Sequence, residues 1–556
     1  MPTYALDPET SGSLANQPPP LEPYDVFETD RALIEGLERE GGGWARDRAA
    51  ALGRLAGGEA ISWGFDANRY PPVLRTHDRF GRRLDEVEFH PAWHALMRTA
   101  VEHGLHALPW REPRPGAHVA RCAMYFTFTQ AEAGHGCPIT MTFAAVPALR
   151  AQRELAVEWE PLLTSLVYDP QLAPPGRKRG AIAGMAMTER QGGSDVRSNT
   201  TVARPIGSHR GPGAEYVLTG HKWFCSAPMS DVFLTLAQTG GGLSCFLLPR
   251  VLPDGTRNRI HLQRLKDKLG NRSNASSEVE FREAWARLVG EEGRGVATII
   301  DMVTHTRLDC VMGSAALMRQ AVAQATHHAA HRTVFGRHLA DQPLMGNVLA
   351  DLCLESEAAT TLMLRLARAY DEAALDPAQR RFTRIATAIG KFWVCKRAIA
   401  HVGEALECLG GNGYVEESIL PRLYREAPVN SVWEGSGNVI CLDVLRALAK
   451  DRQCADALFA ELTPASGADR RLDALVARLR DDLSEAQDVE FRARQIVSHL
   501  AIALQASLLV RHGPPAVSDA FVASRLGADG HVIGTLPRGI DASAIIERAT
   551  PVSLHS

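Results

Sequence analysis

Met187-Thr188-Glu189-Arg190-Gln191-Gly192-Gly193-Ser194-Asp195 decides the reading of this chain. The residues leading into it, Ala181-Ile182-Ala183-Gly184-Met185-Ala186-Met187, predict a buried strand that stops abruptly in a loop of small, donor-rich residues. Gly192-Gly193-Ser194 lets backbone N–H groups approach an anionic or planar ligand with no Cβ in the way. By itself the loop also reads as a plain turn, so the ligand reading needs support from elsewhere in the chain.

Working outward, Asp30 to Arg177 reads as mostly helical, broken at Gly41-Gly42-Gly43, Pro71-Pro72, Pro113 to Gly116 and Pro174-Pro175-Gly176. From Ala181 to Phe281 short apolar runs dominate (Tyr216 to Leu218, Val232 to Ala237, Leu243 to Leu248, Val279 to Phe281), the pattern of a small β domain. Helical periodicity returns after Gly295 and lasts to Lys450. Leu344, Val348 and Leu352 form one stripe there, and Ile399, Val402, Leu406 and Leu409 another, so each helix needs a neighbour and a bundle is predicted. Past Lys450, Leu472, Leu475, Val476, Leu479 and Leu483 make one amphipathic face, and Val497, Leu500, Leu504 and Leu508 a second. Pro514-Pro515 then precedes a last helix around Val517 to Leu526.

The expected fold is α+β and mostly helical. Residues 1–180 form an N-terminal arm and helical domain, 181–290 a small barrel-like sheet, 291–450 a four-helix bundle, and 451–556 an added helical domain.

Bulk properties set bounds. The 556 residues are 45% apolar and 22% charged, with a formal net charge of −3. This is an ordinary multi-domain profile, and it excludes coating of nucleic acid by bulk electrostatics. Residues 1–23, with Pro18-Pro19-Pro20, read as a mobile or surface-draped arm without the features of a signal peptide. No apolar run reaches the roughly 18 residues of a membrane span, since even Ile496 to Leu509 is interrupted by polar residues. Ten scattered cysteines without a C-x-x-C pair fit a reducing cytoplasm. His327, His328 and His331 lie close together, but no Cys or carboxylate completes a ligand set, so no metal is expected.

Several motifs then fall into one order. Ala186 to Ser198 fits the first acyl-CoA dehydrogenase signature. Glu407-Cys408-Leu409-Gly410-Gly411-Asn412-Gly413-Tyr414, running on through Glu417, Arg422 and Glu426, fits the second. Between them, Gly220-His221-Lys222-Trp223-Phe224-Cys225-Ser226 is similar to the family's central strand, and Arg332-Thr333-Val334-Phe335-Gly336 with Gln342 resembles its cofactor-gripping helix end. His90 to His94, Cys137 to Ala145, Thr188 to Asp195, Arg264 to Ala275, Asn430 to Asn438 and both chain extensions resemble the AidB subfamily, bacterial alkylation-response flavoproteins.

This resemblance implies an FAD-dependent oxidoreductase with Glu434 as catalytic base. The residues alone leave two readings of Glu434. Its carboxylate projects from the turn Trp433-Glu434-Gly435-Ser436-Gly437 beside a large apolar ring, which raises a carboxylate towards the working range of a base, yet a Glu in a turn also reads as a solvated surface residue.

Carried over by resemblance, Met187, Thr188, Gly193 and Ser194 contact the flavin ring and phosphates, and Phe224, Cys225 and Ser226 close over the isoalloxazine. Arg332 and Phe335 reach the FAD of a neighbouring subunit, Glu407, Gly410 and Gly411 line that groove, and Trp433, Ser436 and Asn438 hold the cofactor beside the base. A shared cofactor implies a homo-oligomer, and the family favours a tetramer. Read alone, Gly410-Gly411-Asn412-Gly413 is first of all a helix C-cap.

Two departures bear on substrate. Arg190-Gln191 stands where the family usually has Pro after the Glu, and Trp433 replaces the commoner Tyr. Both predict a narrower, more polar cavity, with at most modest activity on a short branched thioester such as isovaleryl-CoA.

The resemblance also implies binding of double-stranded DNA and protection from alkylating agents. Residues 451–556 hold 11 arginines, no lysine and 14 Asp plus Glu. Arg470, Arg471, Arg478, Arg480, Arg492 and Arg494 read either as a phosphate-gripping stripe or as a solvated face paired with Asp473, Asp481 and Asp482. Three functions stay open at this point: a DNA-binding flavoprotein with residual dehydrogenase chemistry, an ordinary metabolic acyl-CoA dehydrogenase, and a non-catalytic flavoprotein that covers DNA.

Overall fold

The computed structural model describes residues 16–527 and 532–552. Its elements sort into two compact units. One comprises residues 63–117 and 132–309; the other comprises the chain up to Ser62, His118–Ala131 and the chain from Cys310 onward. Each compact unit is thus assembled from separated stretches of the chain. The break expected near residue 180 falls inside the first unit, and the helices after Lys450 belong to the same unit as the bundle.

In the first unit, β1 (Val73–His77) and β2 (Arg83–Glu88) form an antiparallel hairpin within a stretch read as helical. Its alternation is masked by a register shift between Arg75 and His77 and by Asp85 at φ 49.

The main sheet follows: β3 (Ala183–Ala186), β4 (Val202–Pro205), β5 (Glu215–Ser226), β6 (Val232–Thr239), β7 (Gly242–Pro249), β8 (Ile260–Leu265) and β9 (Ser276–Val289). Pairing runs β3–β6–β7–β9–β5 and returns to β3, so the sheet closes on itself as the expected small barrel. Tyr216, Leu218, Phe233, Phe246 and Phe281 belong to one core shared by all seven strands. Val232, Leu234 and Leu236 belong to another, with Leu149, Leu155 and Trp159 of the Gly136–Leu149 and Arg153–Leu163 helices. Burial of both faces explains why β6 reads as an unbroken apolar run rather than an alternating one.

In the second unit the Pro343–Glu372 and Gly437–Lys450 helices both pack on Pro377–Cys408, whose Cys395 Sγ also meets Cys310 O of the Gly295–His331 helix at 3.5 Å. The first half of Pro377–Cys408 buries Phe382, Ile385, Ile389 and Phe392, and its second half buries the narrower stripe Cys395, Ala398, Val402 and Ala405. Of the expected stripes Leu352 and Val402 are buried, whereas Val348, Ile399, Leu406 and Leu409 are only half-buried and Leu344 is exposed, so the stripes are rotated in part from the true ones. Small residues let neighbouring helices approach closely, and a scan for large apolar side chains passes over them.

The Val489–His512 helix packs on Pro343–Glu372, Pro377–Cys408 and Gly437–Lys450. By length and composition it could cross a membrane, which corrects the expectation that no such run exists, but 67% of its most apolar window is buried inside the protein. Leu472, Leu475 and Leu479 and the Val497, Leu500, Leu504, Leu508 face are buried as expected.

The N-terminal arm is pinned from Asn16 on. Pro19 O accepts from His327 Nε2 at 2.9 Å, Glu22 accepts from Gln324 at 2.6 Å, and Leu21 and Tyr24 are buried. Its first fifteen residues lie outside the described residues. All ten cysteines carry free thiols, nine of them buried. Among the described residues no group of three or more His, Cys, Asp or Glu is gathered that could hold a metal.

Candidate active site

In the first unit, β3 ends against β5 with Ala186 opposite Cys225. The Trp223 N–H donates to Thr188 O at 2.8 Å, stapling the start of the 187–195 loop beside Phe224. Thr188 lies so close to Gly193 that a Cβ there would sit 2.4 Å from the threonine Oγ1, so only glycine lets the loop fold back here. Ser194 is exposed and Met187 half-buried. Phe224 is 48% exposed next to the loop, with the Lys266 ammonium 4.7 Å from its ring centroid, and Ser226 shares a hydrogen bond with Ser276 at 3.1 Å. Met187, Thr188, Gly193, Ser194, Phe224 and Ser226 thus stand along one edge of the barrel.

Cys225 departs from this group. Alternation along β5 turns its side chain into the barrel core, where burial pushes the thiol up to about 12, so only its backbone is left for the expected role. Arg190 and Gln191 are also engaged locally. The Arg190 guanidinium lies 5.5 Å from the Trp223 ring centroid, and Gln191 donates to Asn199 Oδ1 at 3.0 Å. The polarity they were expected to lend a pocket mouth is satisfied within the loop.

Sequence reasoning missed what holds this loop down. Glu189 and Lys222 form an ion pair at 2.9 Å with both side chains 0% exposed. Glu189 also accepts from Thr200 N, Thr200 Oγ1 and Thr201 N, while Lys222 donates to Leu236 O at 2.7 Å. Burial works to raise the Glu189 carboxyl, but the Lys222 ammonium and these donors hold it down to about 2. Both residues lie inside the quoted motifs, but Glu189 stands among Thr188, Arg190 and Gln191, so nothing local marks it as one half of a buried pair.

In the second unit, Glu434 lies between the short Val429–Val432 helix and the Gly437–Lys450 helix. It is half-buried and adopts φ 59, followed by Gly435 at φ 106. Two successive left-handed residues turn the chain sharply, and a non-glycine residue held there is the kind of strain that marks functional turns. Trp433 Nε1 donates to Asn430 Oδ1 at 3.0 Å, and Ser436 is the N-cap residue of the following helix, with Asn438 exposed in its first turn.

The remaining expected contacts lie on two other segments of this unit. Glu407 is exposed near the end of the Pro377–Cys408 helix; Gly410, at φ 58, and Gly411 follow, and an added Cβ at either would meet nothing within 4 Å. Phe335 is 97% exposed, while Arg332 is half-buried and donates to Asn16 O at 2.6 Å.

The arginines past Lys450 do not form a free stripe. Arg471 pairs with Asp469, Arg478 meets the His499 ring, Arg480 stacks on Phe459 and Arg494 donates to Asn438. Arg492 bonds Asp482 and the carbonyls of Glu485 and Gln487. Arg470 is exposed and has no ion pair among the described residues. Side-chain partners and ring faces, which linear charge counting does not weigh, engage five of these six arginines, though among the described residues only Arg471 and Arg492 meet a carboxylate.

Comparison with known proteins places this geometry. Residues 16–170 match the model of the adaptive response protein AidB N-terminal domain, residues 184–284 that of the acyl-CoA dehydrogenase middle domain, and residues 293–449 that of the acyl-CoA dehydrogenase C-terminal domain. The chain is 48% identical, over 93% of its length and 95% of the relative's, to the putative acyl-CoA dehydrogenase AidB of Escherichia coli K12. A solved structure described as the Bd2924 apo-form superposes with a TM-score of 0.79 at 30% identity, covering 88% of this chain and 98% of that one. Caenorhabditis elegans ACDH-11 in complex with C11-CoA superposes with a TM-score of 0.83 at 28% identity, covering 98% and 93%. With three domain models matched in order and nearly full-length identity to one relative, the chain belongs to the acyl-CoA dehydrogenase family, in its AidB branch.

Proposed function

We propose that the protein is an FAD-dependent acyl-CoA dehydrogenase-like oxidoreductase with Glu434 as its base. The observation that carries this reading is the strained left-handed turn at Glu434, set in a chain of this family.

The residues fit the cofactor. The barrel edge offers the half-exposed Phe224 ring, with the Lys266 ammonium beside it, next to a loop that glycine alone allows to fold, and Gly410 and Gly411 leave their backbone open to close approach. When bound, FAD supplies an acceptor for the hydride leaving the β carbon of an acyl thioester. Glu434 takes the α proton onto a carboxylate oxygen as the α,β double bond forms. The turn at φ 59 restricts where that carboxylate points.

The substrate is an acyl-CoA. The short branched chain expected from Arg190 and Gln191 loses support because both residues are satisfied locally, so a panel from isovaleryl-CoA to C11-CoA is the appropriate test. Purified protein should be bleached by at least one member in the absence of oxygen, and Glu434→Gln should abolish bleaching. Bleaching that survives in Glu434→Gln would overturn the assignment of the base.

We propose a homo-oligomer, in keeping with the family and with the exposed Phe335, and a cytoplasmic setting suited to ten free thiols.

A second reading, binding of double-stranded DNA in an alkylation response, is supported by the match of residues 16–170 to the adaptive response model. The engaged arginines give it no support. Duplex affinity measured against salt tests it: a specific role for this chain requires binding that survives at physiological ionic strength and weakens steadily above it.

A further inference from the structure

We propose that Lys391 is a positioning residue for the proposed reaction, and that its buried ammonium holds Glu434 in the left-handed turn that presents it. This inference rests on the reading of Glu434 as base.

Lys391 lies on the Pro377–Cys408 helix and is 1% exposed. Its Nζ donates to the carbonyl of Gly435, the residue after Glu434. Among the described residues no carboxylate comes within ion-pair distance of it. A buried ammonium is costly unless its hydrogen bonds are made, so its presence calls for a structural reason. The reason lies in the turn. Glu434 at φ 59 and Gly435 at φ 106 point the Gly435 carbonyl inward, towards the helix, where no regular backbone partner is on offer. An unmet buried carbonyl would favour relaxation of the turn, and Lys391 supplies the missing donor.

A second lysine on the same helix reinforces this arrangement. Lys396 Nζ donates to Ser431 Oγ at 3.4 Å, and its Cε lies 2.9 Å from where a Cβ on Gly437 would stand. The two side chains thus engage the 431–437 segment at three points, and the Trp433 bond to Asn430 adds a fourth. Glu434 is the residue these restraints enclose. Displacement of a catalytic group by about 1 Å can cost on the order of 10²-fold in rate, which gives the lysine leverage without contact with substrate.

The test uses the full-length protein as isolated and the variants Lys391→Met, Lys391→Arg and Lys391→Ala. Amide hydrogen exchange over residues 433–437 is expected to quicken at least about tenfold in Lys391→Met while exchange in the Val489–His512 helix stays unchanged, and Lys391→Arg should restore the slow rate. This readout does not depend on turnover, so it separates failure of the inference from failure of the proposed function, which Glu434→Gln tests. In Lys391→Ala, n-propylammonium should slow exchange at 433–437 again and 1-propanol, of similar size without the charge, should not. Where a thioester substrate is turned over, kcat should fall in Lys391→Met by about 10²-fold with KM within about threefold. Unchanged exchange at 433–437 in Lys391→Met, or equal rescue by the alcohol and the amine, would overturn the proposal.

Discussion

Glu189 and Lys222 meet at 2.9 Å in a spot neither water nor substrate reaches, and together they fasten the 187–200 segment to β5 and β6. The loop proposed to face the flavin is therefore held by electrostatics beneath it as well as by the bonds of Thr188 and Gln191. Four predictions follow from relationships of this kind.

Lys222→Met leaves a carboxylate buried without its partner and should destabilise the protein by about 3–5 kcal/mol. The double variant Lys222→Met/Glu189→Leu should recover much of that loss, because the charge is gone with its counterion. Chemical denaturation of both variants checks this. Since the folded Glu189 carboxyl is held down to about 2, below its ordinary 4.5, its contribution is complete above pH 4.5 and is lost as pH falls towards 2.

Glu434→Gln and Glu434→Gly should both abolish thioester oxidation, yet differ in stability. Glycine adopts φ 59 without the Cβ penalty that Gln keeps, so Glu434→Gly should be the more stable of the two by about 1 kcal/mol. Denaturation midpoints of the two variants decide the matter, and a lower midpoint for Glu434→Gly would show that the turn carries no strain.

His401 is buried in the bundle, with Nε2 2.9 Å from Leu352 O, and burial pushes its imidazole down to about 4. Because the folded value lies below the ordinary 6.5, stability linked to this group is complete above pH 6.5 and is lost as pH falls towards 4. His328, also pushed down to about 4 by burial, acts in the same direction. Thermal melts between pH 7 and pH 4 should fall in wild type and fall less steeply in His401→Gln.

Ending the chain after Lys450 should unfold the helical unit rather than release a separate domain. The Val489–His512 helix covers three bundle helices, and Arg525 forms ion pairs with the buried Asp351 and Glu355. Removing these elements bares apolar surface, deprives the buried Asp351 of its counterion and leaves Glu355 with Arg397 alone. The truncated chain should be recovered as aggregate or lose its cooperative melt, and a soluble, cooperatively folding product would contradict the packing described.

The sequence by itself determined the family, the order of helix, strand and helix, the small β domain and where along the chain the loop proposed to face the flavin and the proposed base Glu434 lie. These follow from contiguous motifs and from periodicities that local backbone geometry imposes. Tertiary structure decided the rest. The barrel closes through pairings of strands far apart in the chain, such as β5 with β9, which no local pattern encodes. Cys225 turned out to be a core residue because alternation along β5 is fixed by which face closes inward. The arginines past Lys450 are engaged because helix ends and ring faces, brought near by folding, compete for them. Glu189–Lys222 and Lys391–Gly435 were invisible for the same reason: a buried charge reveals its purpose only once its partner, many residues away in the chain, has been brought within hydrogen-bonding distance.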